Sequence, residues 1–191
     1  MKWLPLLLLA ITLAACKEDV ATRPEPVPLT AEAVGHYCQM DLLEHPGPKA
    51  QVHLEGLDHP LFFSQVRDAI AYQRMPEQSH AITAIYVNDM AAPAASWEHP
   101  GAENWIDATA AHYVIGSDAT GGMDAPELVP FLDAKDASDF ADMRGGQVLR
   151  LAEVADAEVL SAVPIAPDST DRAEEDDFEA RLNQLSRERQ N

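Results

Sequence analysis

The chain has 191 residues, and its 32 acidic against 13 basic side chains leave a net charge of −19. A polyanion of this kind lacks the phosphate-neutralising surface that nucleic-acid binding needs, and has no electrostatic reason to adhere to anionic lipid. With 47% hydrophobic and 24% charged residues, the composition is that of a globular protein.

The first residues, "MKWLPLLLLAITLAAC", read as a signal peptide. Lys2 supplies the positive start, and residues 4–13 form an apolar stretch too short to span a bilayer as a helix. The stretch ends in Leu13-Ala14-Ala15-Cys16, which resembles a bacterial lipobox. Cleavage before Cys16 turns its sulfur into a lipid-bearing thioether and anchors the chain in a membrane facing the periplasm; Lys17 after it points to the outer membrane. Ordinary cleavage after Ala15 instead leaves Cys16 as a free thiol. Residues 16–28, "CKEDVATRPEPVP", are polar and proline-rich and read as a tether.

A folded body is expected over residues 29–164. "KAQVHL" reads as a strand. "DHPLFFSQVRDAIAYQRM" sets Phe62, Phe63, Val66, Ala69 and Ile70 at helical spacing, with Asp58 as N-cap and Pro60 in the first turn. "HAITAIYVNDM" is a second strand, and "NWIDATAAHYVIGS" is one long strand or two short ones. "ELVPFLDA" is another strand, "KDASDFADMRGG" a short helix capped by Asp136 and stopped by Gly145 and Gly146, and "QVLRLAEV" a closing strand. The fold class is α+β, two small related ββαβ units over 29–93 and 94–164. The tail, 165–191, is apolar-poor and highly charged, and reads as disorder or a solvated helix over 174–189.

Glu-His-Pro-Gly occurs at 44–47 and again at 98–101. Setting the repeat register there places the first helix opposite "GSDATGGMDAP", which its glycines and proline keep from being helical. Matching helix to helix instead brings residues 38–40 near 121–123. The repeated tetrapeptide is then coincidence, or two similar turns.

If Cys16 carries lipid, Cys38 has no intramolecular partner. A lone exported cysteine makes an intermolecular bond, reacts, binds metal, or packs as a small hydrophobe. Read as extended chain, residues 36, 38 and 40 project to one face, presenting the imidazole of His36, the thiol of Cys38 and the thioether of Met40 together. Soft sulfur donors select Cu(I) over calcium or magnesium. Met123, between glycines and a proline with no obvious core to fill, is the candidate third ligand, with His36 the runner-up. His45, beside Pro46, reads as a turn residue, and Met75, Met90 and Met143 as gap-fillers in the core.

Other chemistries fit less well. The remaining histidines lack paired zinc spacing, and there is no Cys-x-x-Cys, phosphate loop or Gly-x-Ser-x-Gly. The run "CQM…EHPGPKAQ", then "FFSQVRDAIAY" and "GGMDAPELVPF", resembles the NosL family, lipoprotein accessory factors of bacterial nitrous oxide reductase. The resemblance implies a non-enzymatic, periplasm-facing Cu(I) chaperone that delivers copper for the reductase's copper–sulfide centre. It further implies work with a membrane ABC-type assembly complex, a fold of two ββαβ units like a domain of organomercurial lyases, and Cys38 and Met40 as copper ligands. Two alternatives stay open: a metal-free adaptor bridging the reductase and its assembly complex, and an enzyme with Cys38 as nucleophile. A copper-bridged dimer stays open as well.

Overall fold

In a computed structural model, residues 23–163, Phe178 and Arg181 are described. The signal peptide, Cys16 and the tail helix expected over 174–189 fall outside the described residues, apart from those two tail positions.

The first unit is β1 (Ala50–Leu54), β2 (Leu61–Phe63), α1 (Val66–Arg74) and β3 (Ile82–Asn88). After β4 (Trp105–Asp107), the second unit repeats the order as β5 (His112–Ile115), β6 (Val129–Phe131), α2 (Ala134–Arg144) and β7 (Gln147–Arg150). A short helix, α3 (Asp156–Leu160), follows. All pairings within the sheets are antiparallel, in the orders β2-β1-β3-β4 and β6-β5-β7. "NWIDATAAHYVIGS" is therefore two strands that belong to different sheets: β4 lies beyond residue 94 yet pairs with β3. Pro130, which has no N–H for a ladder, sits on the edge strand β6.

β1 is central and buried along its length. Ala50, Val52 and Leu54 face the main core, while Gln51 and His53 take the opposite face, as period-two alternation requires. The same core gathers Phe63 of β2, Val66, Ala69 and Ile70 of α1, and Tyr113 and Ile115 of β5. Val114, between those two, faces away into a second cluster with Val129, Phe131 and Ala137, where α2 packs. Burying each large side chain here contributes about 1.5–3 kcal/mol.

Three local expectations are corrected. Phe62 and Phe63 lie on β2, and α1 begins only at Val66 with Gln65 as N-cap, so neither Asp58 nor Pro60 starts it. The strand wins because Leu61, Phe62 and Phe63 register against Val52, Gln51 and Ala50. α2 starts one turn earlier than expected, with Asp133 as N-cap and Asp136 inside its first turn; Gly145, at φ 76°, closes it. Met143 is 76% exposed and Met75 is also exposed, so neither fills the core, whereas Met90 packs on the second cluster.

Candidate metal centre

Cys38 lies on a tight turn, not on extended chain. Val34 and Asp41 form an antiparallel bridge at its base, Gly35 N–H donates to the Met40 carbonyl (3.0 Å) and Gln39 N–H to the Gly35 carbonyl (2.8 Å). Gln39 takes φ 56°, and its side-chain amide donates to the carbonyls of Gly35 and His36. A Cβ on Gly35 would run into Cys38 Sγ, so the glycine admits the thiol to the inside of the turn. Asp41 ends the turn by accepting Leu43 N–H (3.0 Å), capping a 3-10 turn over Leu42–Glu44.

Alternation along a strand therefore does not place residues 36, 38 and 40 on one face. Cys38 is half-buried and Met40 is 43% exposed. The His36 ring packs against Tyr37, Phe63 and Tyr72, with centroids 5.3–5.6 Å away. This gives the imidazole a packing role that needs no metal.

Met123, also 43% exposed, stands on the β5–β6 connection. Element by element, that connection corresponds to the one between β1 and β2, so the repeat does not set Met123 opposite Met40. Hydrogen bonds settle the loop instead. Met123 N–H donates to Gln65 Oε1 (3.0 Å), and the Gly122 carbonyl accepts from His45 Nδ1 (3.0 Å). A Cβ on Gly122 would stand 2.7 Å from His45 Cβ, and one on Gly121 2.5 Å from Glu127 Oε2. The two glycines are what let this loop pack close.

Both sulfur-bearing loops are thus fastened to one junction. His36 N–H donates to the Phe62 carbonyl (2.6 Å) at β2, and Met123 N–H reaches Gln65, the N-cap of α1. The two Glu-His-Pro-Gly segments are neighbouring turns. Gly47 and Gly101 both take positive φ, Gly47 N–H donates to the Trp97 carbonyl (2.6 Å), and His45 and His99 line one cavity of about 360 Å³.

Two buried ionisable groups lie beneath, neither anticipated from sequence. Lys49 is 1% exposed and donates through Nζ to the carbonyls of Pro46 (3.0 Å) and Gly47 (2.6 Å). Burial lowers its ammonium to about 8, against the pull of the Glu127 carboxylate and the Cys38 thiolate. Glu127 accepts from the N–H groups of Val66 (3.3 Å), Arg67 (3.0 Å) and Leu128 (2.8 Å), and burial raises its carboxyl to about 8 despite those bonds. The available signals were one lysine leading into the buried run "AQVHL" and one glutamate leading into "LVPF".

The donors suit a soft ion. Among the described residues, no three His, Cys, Asp or Glu side chains group as a metal site. A thiol and thioethers on exposed loops are what a closed-shell, sulfur-preferring ion takes.

The NosL family model matches residues 26–159. The copper-binding lipoprotein NosL of Achromobacter cycloclastes is 57% identical over 173 residues, 91% of this chain and 89% of that protein. Its counterpart in Stutzerimonas stutzeri is 36% identical over 150 residues, covering 77% of this chain and 76% of the relative. The crystal structure of the copper chaperone NosL from Shewanella denitrificans matches with a TM-score of 0.64 at 29% identity, covering 70% of this chain and 97% of that one. These relatives are named for binding and carrying copper, not for catalysis. The chain belongs to the NosL family.

Proposed function

We propose that the chain is a lipid-anchored, periplasm-facing carrier of Cu(I). It delivers the ion for maturation of the copper–sulfide centre of nitrous oxide reductase, working with a membrane ABC-type assembly complex. Cys16 carries the lipid, in the outer membrane. Cys38, Met40 and Met123 hold the copper.

The observation that carries this reading is the pair Cys38 and Met40 on a turn fastened at both ends. A carrier must hold its ion and then yield it. Thiolate gives most of the affinity, and an exposed thioether exchanges readily with a partner's donor because its stem is flexible and uncharged. The copper-binding names of the relatives support the same reading.

An anaerobic Cu(I) competition titration tests it. We expect Cys38→Ser to lose at least a hundredfold in affinity; unchanged affinity would remove this site. A Cys38→Ser variant that still supported full reductase maturation would favour the metal-free adaptor.

A further inference from the structure

Residues 23–28, which composition assigns to a loose tether, lie together with Leu29 across the sheet face that α1 leaves open. Arg23 pairs with Asp107 of β4 and stands 5.1 Å from the ring centroid of Tyr86 on β3. The Tyr86 hydroxyl donates to the Pro24 carbonyl (2.7 Å). Val27 is held reciprocally by Gln51 of β1: its N–H donates to Oε1 (2.8 Å), and its carbonyl accepts from Nε2 (3.0 Å). Leu29 N–H donates to the Ala102 carbonyl (2.9 Å).

This docking is built into the sheet. Gln51, His53 and Tyr86 are all buried, and Gln51 engages one backbone unit at both its donor and its acceptor, as a neighbouring strand would. His53 Nε2 lies 2.9 Å from Gln51 Oε1 and keeps the amide turned towards Val27. The segment then leads into the sulfur loop: Leu29, Ala33 and Leu42 share a small core, and Leu42 N–H donates to the Ala33 carbonyl (3.1 Å) just outside the Val34–Asp41 bridge.

We infer that residues 23–29 are a docked strap that holds the folded body close to the anchor, and that unhooking it lengthens the free tether between the bilayer and the body. The inference rests on the proposed lipidation of Cys16. From Cys16 to Arg23 the chain extends at most about 25 Å, and freeing it back to Leu29 adds about 20 Å. The body is thus held low while the strap is seated, and reaches a partner standing further from the bilayer once it lifts.

The test uses the full-length lipidated protein on supported phosphatidylcholine bilayers, with Gln51→Leu and Tyr86→Phe as variants. Tyr86→Phe removes one hydroxyl and keeps the ring, so it serves where Gln51→Leu fails to fold. In the parent, the Val27 and Leu29 amides should exchange with deuterium at least tenfold more slowly than in a peptide of the same sequence. Gln51→Leu should bring Val27 to the peptide rate, and Tyr86→Phe should speed exchange over 23–27 several-fold. Neutron reflectometry should find the body of the variants further from the bilayer, by about 10–20 Å at full release. Peptide-like exchange at Val27 in the parent would overturn the docking. Faster exchange with no change in height would overturn its role in reach. Neither readout depends on copper, so loss of the copper site leaves this inference standing, and the reverse also holds.

Discussion

Arg67 N–H donates to Glu127 Oε1 across 3.0 Å, joining the first turn of α1 to a residue sixty positions further along the chain. Val66 N–H finds the other carboxylate oxygen at 3.3 Å. Gln65, the N-cap, makes no capping bond of its own; its amide is occupied with Met123 and Asp68. The start of the helix is therefore satisfied by the opposite half of the molecule. A helix N-terminus favours a negative group there, which offsets part of the cost of burying the carboxylate.

Glu127→Ala leaves the buried N–H groups of Val66, Arg67 and Leu128 without their partner and should cost about 2–3 kcal/mol in urea unfolding of the metal-free protein. Glu127→Gln keeps one acceptor oxygen and should cost about 1 kcal/mol at neutral pH. Because the folded-state pKa of Glu127 is raised from 4.5 to about 8, the folded state favours its protonated form. The parent should thus lose stability relative to the Gln variant as pH rises from about 4.5 to 8, and no further above that. A constant difference across that range would show that the carboxylate is ionised throughout.

Met123→Ala should weaken Cu(I) binding by about tenfold and leave the melting temperature nearly unchanged. The side chain is 43% exposed, and surface substitutions usually shift stability by less than about 0.5 kcal/mol. Anaerobic competition titration beside thermal unfolding measures both, and an unaltered affinity would remove Met123 from the ligand set.

Gly122→Ala probes the loop rather than the sulfur. The added methyl meets His45 Cβ and lies 3.2 Å from the carbonyls of Pro46 and Ser64, so the loop must shift. Overpacking of this kind costs about 1–3 kcal/mol. The backbone amide of Met123 should lose hydrogen-exchange protection, because its bond to Gln65 depends on the close approach. Retained protection would mean that the loop accommodates the methyl elsewhere.

His53 predicts an acid-side effect. Burial lowers its pKa below the ordinary 6.5, and the Arg23 guanidinium acts in the same direction; Gln51 and Tyr86 are its other polar neighbours. The folded state prefers neutral imidazole, so this contribution is full above about 6.5 and falls as pH drops through the lowered value. Thermal unfolding of the parent and His53→Phe between pH 7.5 and 5 should show the parent losing more stability on acidification. Parallel curves would mean that the ring does not titrate in this range.

Much of the architecture was readable because hydrophobic periodicity is local. The strand "KAQVHL", the helical spacing through Val66 and Ile70, and Gly145 as a stop all report on their own neighbourhoods. Phe62 and Phe63 misled because two adjacent aromatics suit a helix face or a strand equally, and pairing with β1 decides. At the candidate site the sequence offers residue types and leaves their geometry open. Cys38 and Met40 are the donors we propose, and the turn that carries them depends on Gly35 making room for the thiol. The close packing around Met123 left no local signal because the partners of its loop, His45 and Gln65, lie more than fifty residues away.

The pairing of β4 with β3 bears on how the molecule assembles. The second sheet is drawn from an uninterrupted stretch, 112–150, whereas the first needs Trp105–Asp107 to close its outer edge. A chain that folds as it is made therefore exposes the rim of β3 until residue 107 has followed. The earlier half of the polypeptide finishes folding on material delivered after it, and a product stopped near residue 93 would present an open strand edge to its neighbours.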